Sequence, residues 1–264
     1  MNGLLVTLKF GVLLLLSLSL ATHASAAEIK AFFPGAMRTA LAELLPQFEQ
    51  KSGHKVVTFY GSVGAILGRL KNGDSADLVV VSDGPLADLI AQGKIISEGH
   101  ATVAVVGIGV FMSKGAVKPD INSVEAFKRT FFNARSIALF DPATGGPTAL
   151  FGARLFDRLG MAAELKPKIK HPARGVPPQP IAAPLFELVA NGDAEIGLAM
   201  ISEIVQAPGV ELVGPLPAEI GEFQAFTTVV PAQAKAPNAA KVFIEFLISP
   251  RATSILKSKG LEPG

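Results

Sequence analysis

The sequence predicts an α/β protein built as two lobes, each with a mixed, mostly parallel sheet flanked by helices. Short runs rich in β-branched residues alternate with longer helical segments, and glycine or proline stands at most junctions, which is the pattern of strands joined by helices. This pattern restarts near residue 103. Because 49% of the 264 residues are hydrophobic, the chain is long and apolar enough to bury two modest cores.

Charge balance and the lack of cysteine exclude several classes of protein. Lys and Arg number 24, Asp and Glu 22, and the formal net charge is +2, so the sequence offers no polybasic field for nucleic acid. A chain with no cysteine has no disulfides, no cysteine-ligated metal and no thiol catalysis. The four histidines are scattered and no cofactor-binding motif occurs. We therefore expect neither a metal nor another cofactor.

Residues 1–26 are typical of a cleaved secretory signal. Lys9 precedes an apolar run over residues 10–20, and Ala24-Ser25-Ala26 places small residues at the −3 and −1 positions. The apolar run is shorter than the about 20 residues that a membrane-spanning helix needs, which favours a signal over a membrane anchor. We expect the mature chain to begin near Ala27 or Glu28 and to work in the periplasm.

The segment after the signal contains three units of strand and helix. The strands are expected at 29–33, 55–60 and 77–81, and the helices that follow them should end near residues 50, 71 and 92. Parallel strands need crossover connections of this kind. These units form most of a first lobe, assigned to residues 27–105 and 224–264.

A second lobe, residues 106–223, is interpreted as an insertion into the first. Two apolar strands, 103–112 and 223–230, would carry the chain between the lobes. The other strands of this half are expected at 136–140, 168–171, 195–199 and 211–213, with helices at 123–130, at 148–159 and ahead of Asn191-Gly192. Two further helices, 238–248 and 250–259, close the chain.

Four junctions between strand and helix consist of small or polar residues. They are residues 34–38 and 61–64 in the first lobe, and 144–148 and 200–203 in the second. Ligands of open α/β sheets bind beyond the carboxyl ends of the strands, where N–H groups at helix starts favour anions. Helix capping explains each junction taken alone, but two in each lobe predict a cleft that binds a small oxyanion or carboxylate.

Individual residues follow from these junctions. The predicted side-chain contacts are Arg38, Ser62, Thr148 and Ser202, and the predicted walls are Ala36, Val63, Pro147 and Met200. Arg38 and Arg174 could clamp a carboxylate, or could lie on the surface. Asp83, Asp141 and Glu203 could act as bases, although capping and solvated turns explain such carboxylates more simply. No residue is assigned as catalytic.

Several stretches resemble the periplasmic molybdate-binding proteins of ABC transporters. They are Ile-Lys-Ala-Phe-Phe-Pro-Gly-Ala at 29–36, Phe-Tyr-Gly-Ser-Val-Gly at 59–64, Ser-Ala-Asp-Leu-Val-Val-Val-Ser-Asp at 75–83 and Ile-Ala-Leu-Phe-Asp-Pro at 137–142. The resemblance extends over nearly the whole mature chain. It implies a type II periplasmic binding protein fold, whose lobes close on the ligand by hinge motion, and an ABC-type membrane permease as partner.

The resemblance extends less well to the ligand. Molybdate-binding proteins hold the dianion with a serine in each of the first two loops, N–H groups of the second lobe and a tyrosine at the last junction. Ser62 matches the second serine, whereas Ala36 and Met200 stand where the other two hydroxyls are expected. Losing two donors to a charged acceptor, each worth ~1.5–3 kcal/mol, favours an organic acid over a compact oxyanion.

Two more stretches, Glu-Leu-Val-Ala-Asn-Gly-Asp-Ala-Glu-Ile-Gly at 187–197 and Val-Gly-Pro-Leu-Pro at 213–217, are similar to a subgroup that includes aconitate isomerases. Moving a double bond in a tricarboxylate needs one or two bases and no cofactor. The sequence therefore predicts a monomeric periplasmic binding protein for a small anion, with a cofactor-independent isomerase as the alternative.

Overall fold

The computed structural model describes residues 26–95, 100–144, 146–173 and 182–264. The predicted signal lies outside these residues except for Ala26, and Arg174 lies outside them as well. In the described ranges, nine strands and ten α-helices form an α/β fold of two lobes.

The first three strands confirm the predicted repeating units. They are β1 (Glu28–Pro34), β2 (Lys55–Gly61) and β3 (Leu78–Val81), and the helices after them are α1 (Arg38–Ser52), α2 (Val63–Lys71) and α3 (Asp83–Ala91). β1 lies between β2 and β3 and is parallel to both. A short 3-10 turn, Gly35–Met37, precedes α1. The apolar side chains of α1 recur at helical spacing and face the core.

Two long strands connect the lobes. They are β4 (Ala101–Ser113) and β9 (Phe223–Val229). β9 lies between β3 and β4 and is antiparallel to both. β4 pairs with β9 through Gly107, and from Ile108 onward it pairs with a strand of the second lobe. A single strand thus belongs to both sheets, as the predicted crossing requires.

The second lobe adds four short strands. They are β5 (Ile137–Ala138), β6 (Ile169–Lys170), β7 (Ile196–Met200) and β8 (Val210–Pro215). β7 and β8 are antiparallel to β4, and β5 lies between β6 and β7, parallel to both. β5 has two paired residues rather than the five predicted.

Seven further helices follow in the described part, most of them in the second lobe and the last two in the first lobe. They are α4 (Val124–Asn133), α5 (Pro147–Arg158), α6 (Ala162–Leu165), α7 (Ala183–Ala190), α8 (Ile201–Ile204), α9 (Pro237–Leu247) and α10 (Pro250–Ser258). α6 and α8 have four residues each. α6 was not predicted, whereas α8 begins at the predicted junction 200–203. None of the helices in the described part of the chain combines the length and apolarity that a bilayer crossing demands.

The core follows the alternation of side chains along β4. Ile108, Val110 and Met112 point into the largest apolar cluster, which continues into the first lobe. Phe111 points to the opposite face and packs with Phe186 of α7, their ring centroids 5.0 Å apart. This period of two is what a strand buried on both faces produces.

The end of the chain returns to the crossing strand. The backbones of Glu262 and Val105 exchange two hydrogen bonds of 2.8 and 2.7 Å. Just before this bridge, Gly260 packs so closely on α8 that an added Cβ would lie 3.2 Å from the backbone nitrogen of Ser202. This contact was not predicted from the sequence.

Candidate functional site

The strands of the two lobes end toward each other. β3 runs parallel to β4 through their shared neighbour β9, whereas β7 runs in the opposite direction. The end of β3 is level with Thr102 of β4, and the end of β7 is level with Ile108. The intervening residues span about 20 Å at strand spacing. Both sets of carboxyl ends therefore border one gap.

Two of the four predicted junctions meet across this gap. The 3-10 turn Gly35–Met37, which follows β1, approaches α8, which follows β7, with α-carbon separations of 8 Å or less. Ala36 and Met200 at these junctions are 6% and 9% exposed. The structure therefore brings together an apolar wall from each lobe.

The other two junctions lie at the same edges. Gly61 pairs with Pro34, so Ser62 and the buried Val63 start a helix beside the first junction. Pro147 and Thr148 form the first turn of α5, which follows β5, a strand parallel to β7. This turn accordingly stands at the carboxyl edge of the second lobe's sheet.

Arg38, the predicted cationic contact, lies against the aromatic ring of Tyr60. The guanidinium carbon of Arg38 lies 4.4 Å from the ring centroid of Tyr60, a distance suited to a cation–π contact. Burial raises the pKa of the Tyr60 phenol, so the ring stays neutral under the cation. Arg38 is exposed and stands two residues after Ala36, where it is available to an anion.

The predicted hydroxyl contacts differ from each other. Ser62 is exposed and caps α2, accepting the N–H of Ala65 at 3.1 Å, which leaves its own proton free to be donated. Ser202 is fully buried and its hydroxyl has no hydrogen-bond partner. The side-chain oxygen of Gln206 is also buried and unpartnered, while its amide nitrogen donates to the Ser202 carbonyl. Unpaired buried oxygens cost stability.

Glu203 is the candidate base with the most unusual environment. Glu203 lies on α8, next to Ser202 in the sequence, and its side chain is partly buried. Burial raises the pKa of its carboxyl to about 7. Near neutral pH the group can therefore both accept and release a proton.

Neither of the other candidate bases, Asp141 and Asp83, has a described environment like that of Glu203. Asp141 accepts the N–H of Ala143 at 2.9 Å, which is the local capping role that the sequence also allowed. Asp83 begins α3, but its side chain lies outside the described part. Among described residues, no group of three or more His, Asp or Glu side chains could hold a metal ion.

One exposed aromatic residue, Phe223, lies near the gap and was not predicted from the sequence. Phe223 starts β9 and is 69% exposed, but in the sequence it reads only as the first apolar residue of a strand. No local pattern distinguishes it, because its exposure depends on partners far along the chain.

Known proteins match this chain over nearly its whole length. The family model for bacterial extracellular solute-binding proteins matches residues 29–262. Aconitate isomerase from Pseudomonas sp. is 28% identical over 264 residues, covering 98% of this chain and 97% of that protein. The molybdate-binding protein ModA from Azotobacter vinelandii is 25% identical over 246 residues, covering 91% and 92%.

A solved structure shows the same fold. The periplasmic molybdate-binding protein of Azotobacter vinelandii superposes with a TM-score of 0.69 at 21% identity, covering 89% of this chain and 99% of that one. This likeness confirms the type II periplasmic binding protein architecture predicted from the sequence.

Proposed function

The chain belongs to the bacterial extracellular solute-binding protein family, and from this membership we propose that it captures a small organic acid anion and delivers it to an ABC-type permease. The anion would bind between a first lobe, residues 27–105 and 224–264, and a second lobe, residues 106–223. The protein would act in the periplasm after its signal is cleaved. The observation that carries the proposal is the single gap bordered by the carboxyl ends of both sheets.

The composition of the gap favours an organic acid. Ala36, Val63 and Met200 supply buried apolar surface, which would leave a compact dianion short of hydrogen-bond donors. The hydrocarbon part of an organic acid suits these walls. Its carboxylates can pair with Arg38, the Ser62 hydroxyl and N–H groups at helix starts.

Capture would proceed by a shift between open and closed forms. A ligand that touches both lobes binds the closed form more tightly and so raises its population. β4 is the strand about which the lobes would turn, because in the described part it pairs with β9 in the first sheet and with β7 and β8 in the second.

Thermal unfolding of the mature protein tests this proposal. Citrate, cis-aconitate and trans-aconitate are compared with molybdate, tungstate and sulfate, since a ligand at 100 times its Kd adds about 2.7 kcal/mol of stability. We expect an organic acid to raise the Tm, and Arg38→Leu to reduce that rise. Stabilisation by the inorganic anions alone would contradict the organic acid, and no rise with any of the six would contradict capture.

A second candidate function is isomerisation of an unsaturated tricarboxylate. Two observations favour it: the aconitate isomerase that matches 98% of this chain, and Glu203, whose carboxyl has a pKa of about 7 beside the gap. The carboxylate would remove a proton from the carbon next to the double bond. It would return that proton to the far carbon of the double bond, so that the bond moves and no cofactor is consumed.

Ultraviolet absorbance of an aconitate solution tests the enzyme. Turnover by the wild type and its loss in Glu203→Gln, with ligand-induced stabilisation retained, would support the isomerase. A trace that stays flat while aconitate raises the Tm would contradict turnover and leave the binding protein.

A further inference from the structure

Phe223 occupies the point at which the crossing strand changes partners. It pairs with Gly107, and the next residue of β4, Ile108, pairs with Met200 of the second lobe. Opposed side chains of antiparallel strands lie on the same face. Phe223 therefore projects at the boundary between the two sheets.

Gly107 leaves room for the phenyl ring of Phe223. A Cβ added to Gly107 would lie 3.2 Å from a ring carbon of Phe223 and 3.5 Å from the δ-carbon of Ile201. The ring therefore rests on the strand backbone, on the face where α8 also packs. Since α8 also approaches the turn Gly35–Met37, α8 lies near both the ring and the turn.

The edge of β9 beside the ring has no strand on its outer side. β3 pairs only with residues 227–229 of β9, so in the described structure residues 223–226 have β4 as their one strand partner. This free edge begins where β3 ends, at the mouth of the gap. Phe223 stands at the start of this edge and is 69% exposed.

We propose that Phe223 is a specificity-determining wall of the ligand site, selecting organic acids with a flat, unsaturated skeleton. This inference rests on the proposed capture of an organic acid. A flat alkene can pack on the ring face, whereas a saturated, puckered chain makes fewer contacts. The ring face carries negative partial charge and no donor, so it also disfavours compact oxyanions.

Isothermal titration of the mature protein measures this selectivity. The probes are trans-aconitate and its saturated counterpart propane-1,2,3-tricarboxylate, and the variants are Phe223→Ala and Phe223→Leu. We expect the wild type to prefer trans-aconitate, Phe223→Ala to lose about tenfold or more of that affinity, and the preference to shrink toward unity. Phe223→Leu should retain part of the affinity for both probes.

Val242→Ala is the matched control, because Val242 is another exposed apolar side chain, 43% accessible and located on α9. It should bind both probes as the wild type does. If Phe223→Ala keeps the wild-type preference for trans-aconitate, the role of Phe223 is refuted while organic acid capture stands. If the wild type binds neither tricarboxylate, this inference fails, whereas capture of an anion fails only if none of the six anions raises the Tm.

Discussion

Replacing Glu203 with glutamine should stabilise the protein in a pH-dependent manner. The carboxyl has an ordinary pKa of 4.5 when unfolded and about 7 in the folded chain, because burial disfavours the charged form. Each pKa unit is worth 1.36 kcal/mol, so the ionised carboxylate costs the folded state roughly 3 kcal/mol. Glutamine has nearly the same shape and carries no charge.

The direction in which the stability changes with pH follows from the number of protons bound by the folded and unfolded states. Below pH 4.5 both states hold the proton and the buried group costs nothing. Between that pH and about 7 the folded state keeps a proton that the unfolded state has released, so stability falls as pH rises. Above that range the loss is complete. Glu203→Gln should therefore match the wild type near the lower pH and exceed it by roughly 3 kcal/mol at pH 8.

Urea unfolding followed by far-ultraviolet circular dichroism, at several pH values from 4.5 to 8, measures the difference. Glu49→Gln is a control of opposite sign, because a hydrogen bond from Lys55 lowers the pKa of the Glu49 carboxyl. The stability contributed by Glu49 is present above its unfolded pKa and is lost only as pH falls below it, so Glu49→Gln should be less stable than the wild type by a nearly constant amount over the measured range. A gap between Glu203→Gln and wild type that stays constant over the pH range would refute the reasoning.

Three further substitutions test the packing of the fold. Ser202→Ala should leave the free energy of unfolding unchanged or raise it in urea unfolding, because the buried hydroxyl has no hydrogen-bond partner to lose, and a loss of more than about 1 kcal/mol would contradict this. Asp77→Asn should lower the urea midpoint by an amount equivalent to about 1.5–3 kcal/mol, because its carboxylate accepts backbone N–H groups at 2.6, 2.8 and 2.9 Å. Gly197→Ala should cost about 1–3 kcal/mol in the same assay, because the new Cβ would lie 2.5 Å from the Phe111 ring and 2.8 Å from the Ala138 carbonyl oxygen; wild-type stability in either of the last two variants would contradict these contacts.

The repeating units could be predicted because their signals are local. Alternating apolar residues define β1 and β2, and Ser62 and Gly53 mark a helix start and a helix end in the sequence itself. The boundary of β3 is less local. Asp77 was placed in the strand, but its carboxylate binds the backbone of Lys235 and Ala236, so the paired residues begin at Leu78.

The site could be predicted only at the level of its junctions. Small residues at strand ends indicated where a ligand could lie, but the burial of Ser202 depends on Gly260, which is distant in sequence. The environment of Glu203 arises in the same way, since α8 is too short to show helical periodicity. The position of Phe223 could not be predicted, because its pairing with Gly107 where β4 changes partners is visible only in the sheet register.

The position of β9 between β3 and β4 has a consequence for folding during synthesis. The outer edge of β3 stays unpaired until residues 227–229 have been synthesised. The carboxylate of Asp77 likewise lacks the N–H of Lys235, which is 158 residues further along the chain. Until that part of the chain leaves the ribosome, the amino-terminal units have an open strand edge, a surface on which unfinished chains can aggregate. We therefore expect nascent chains halted before residue 223 to require a chaperone.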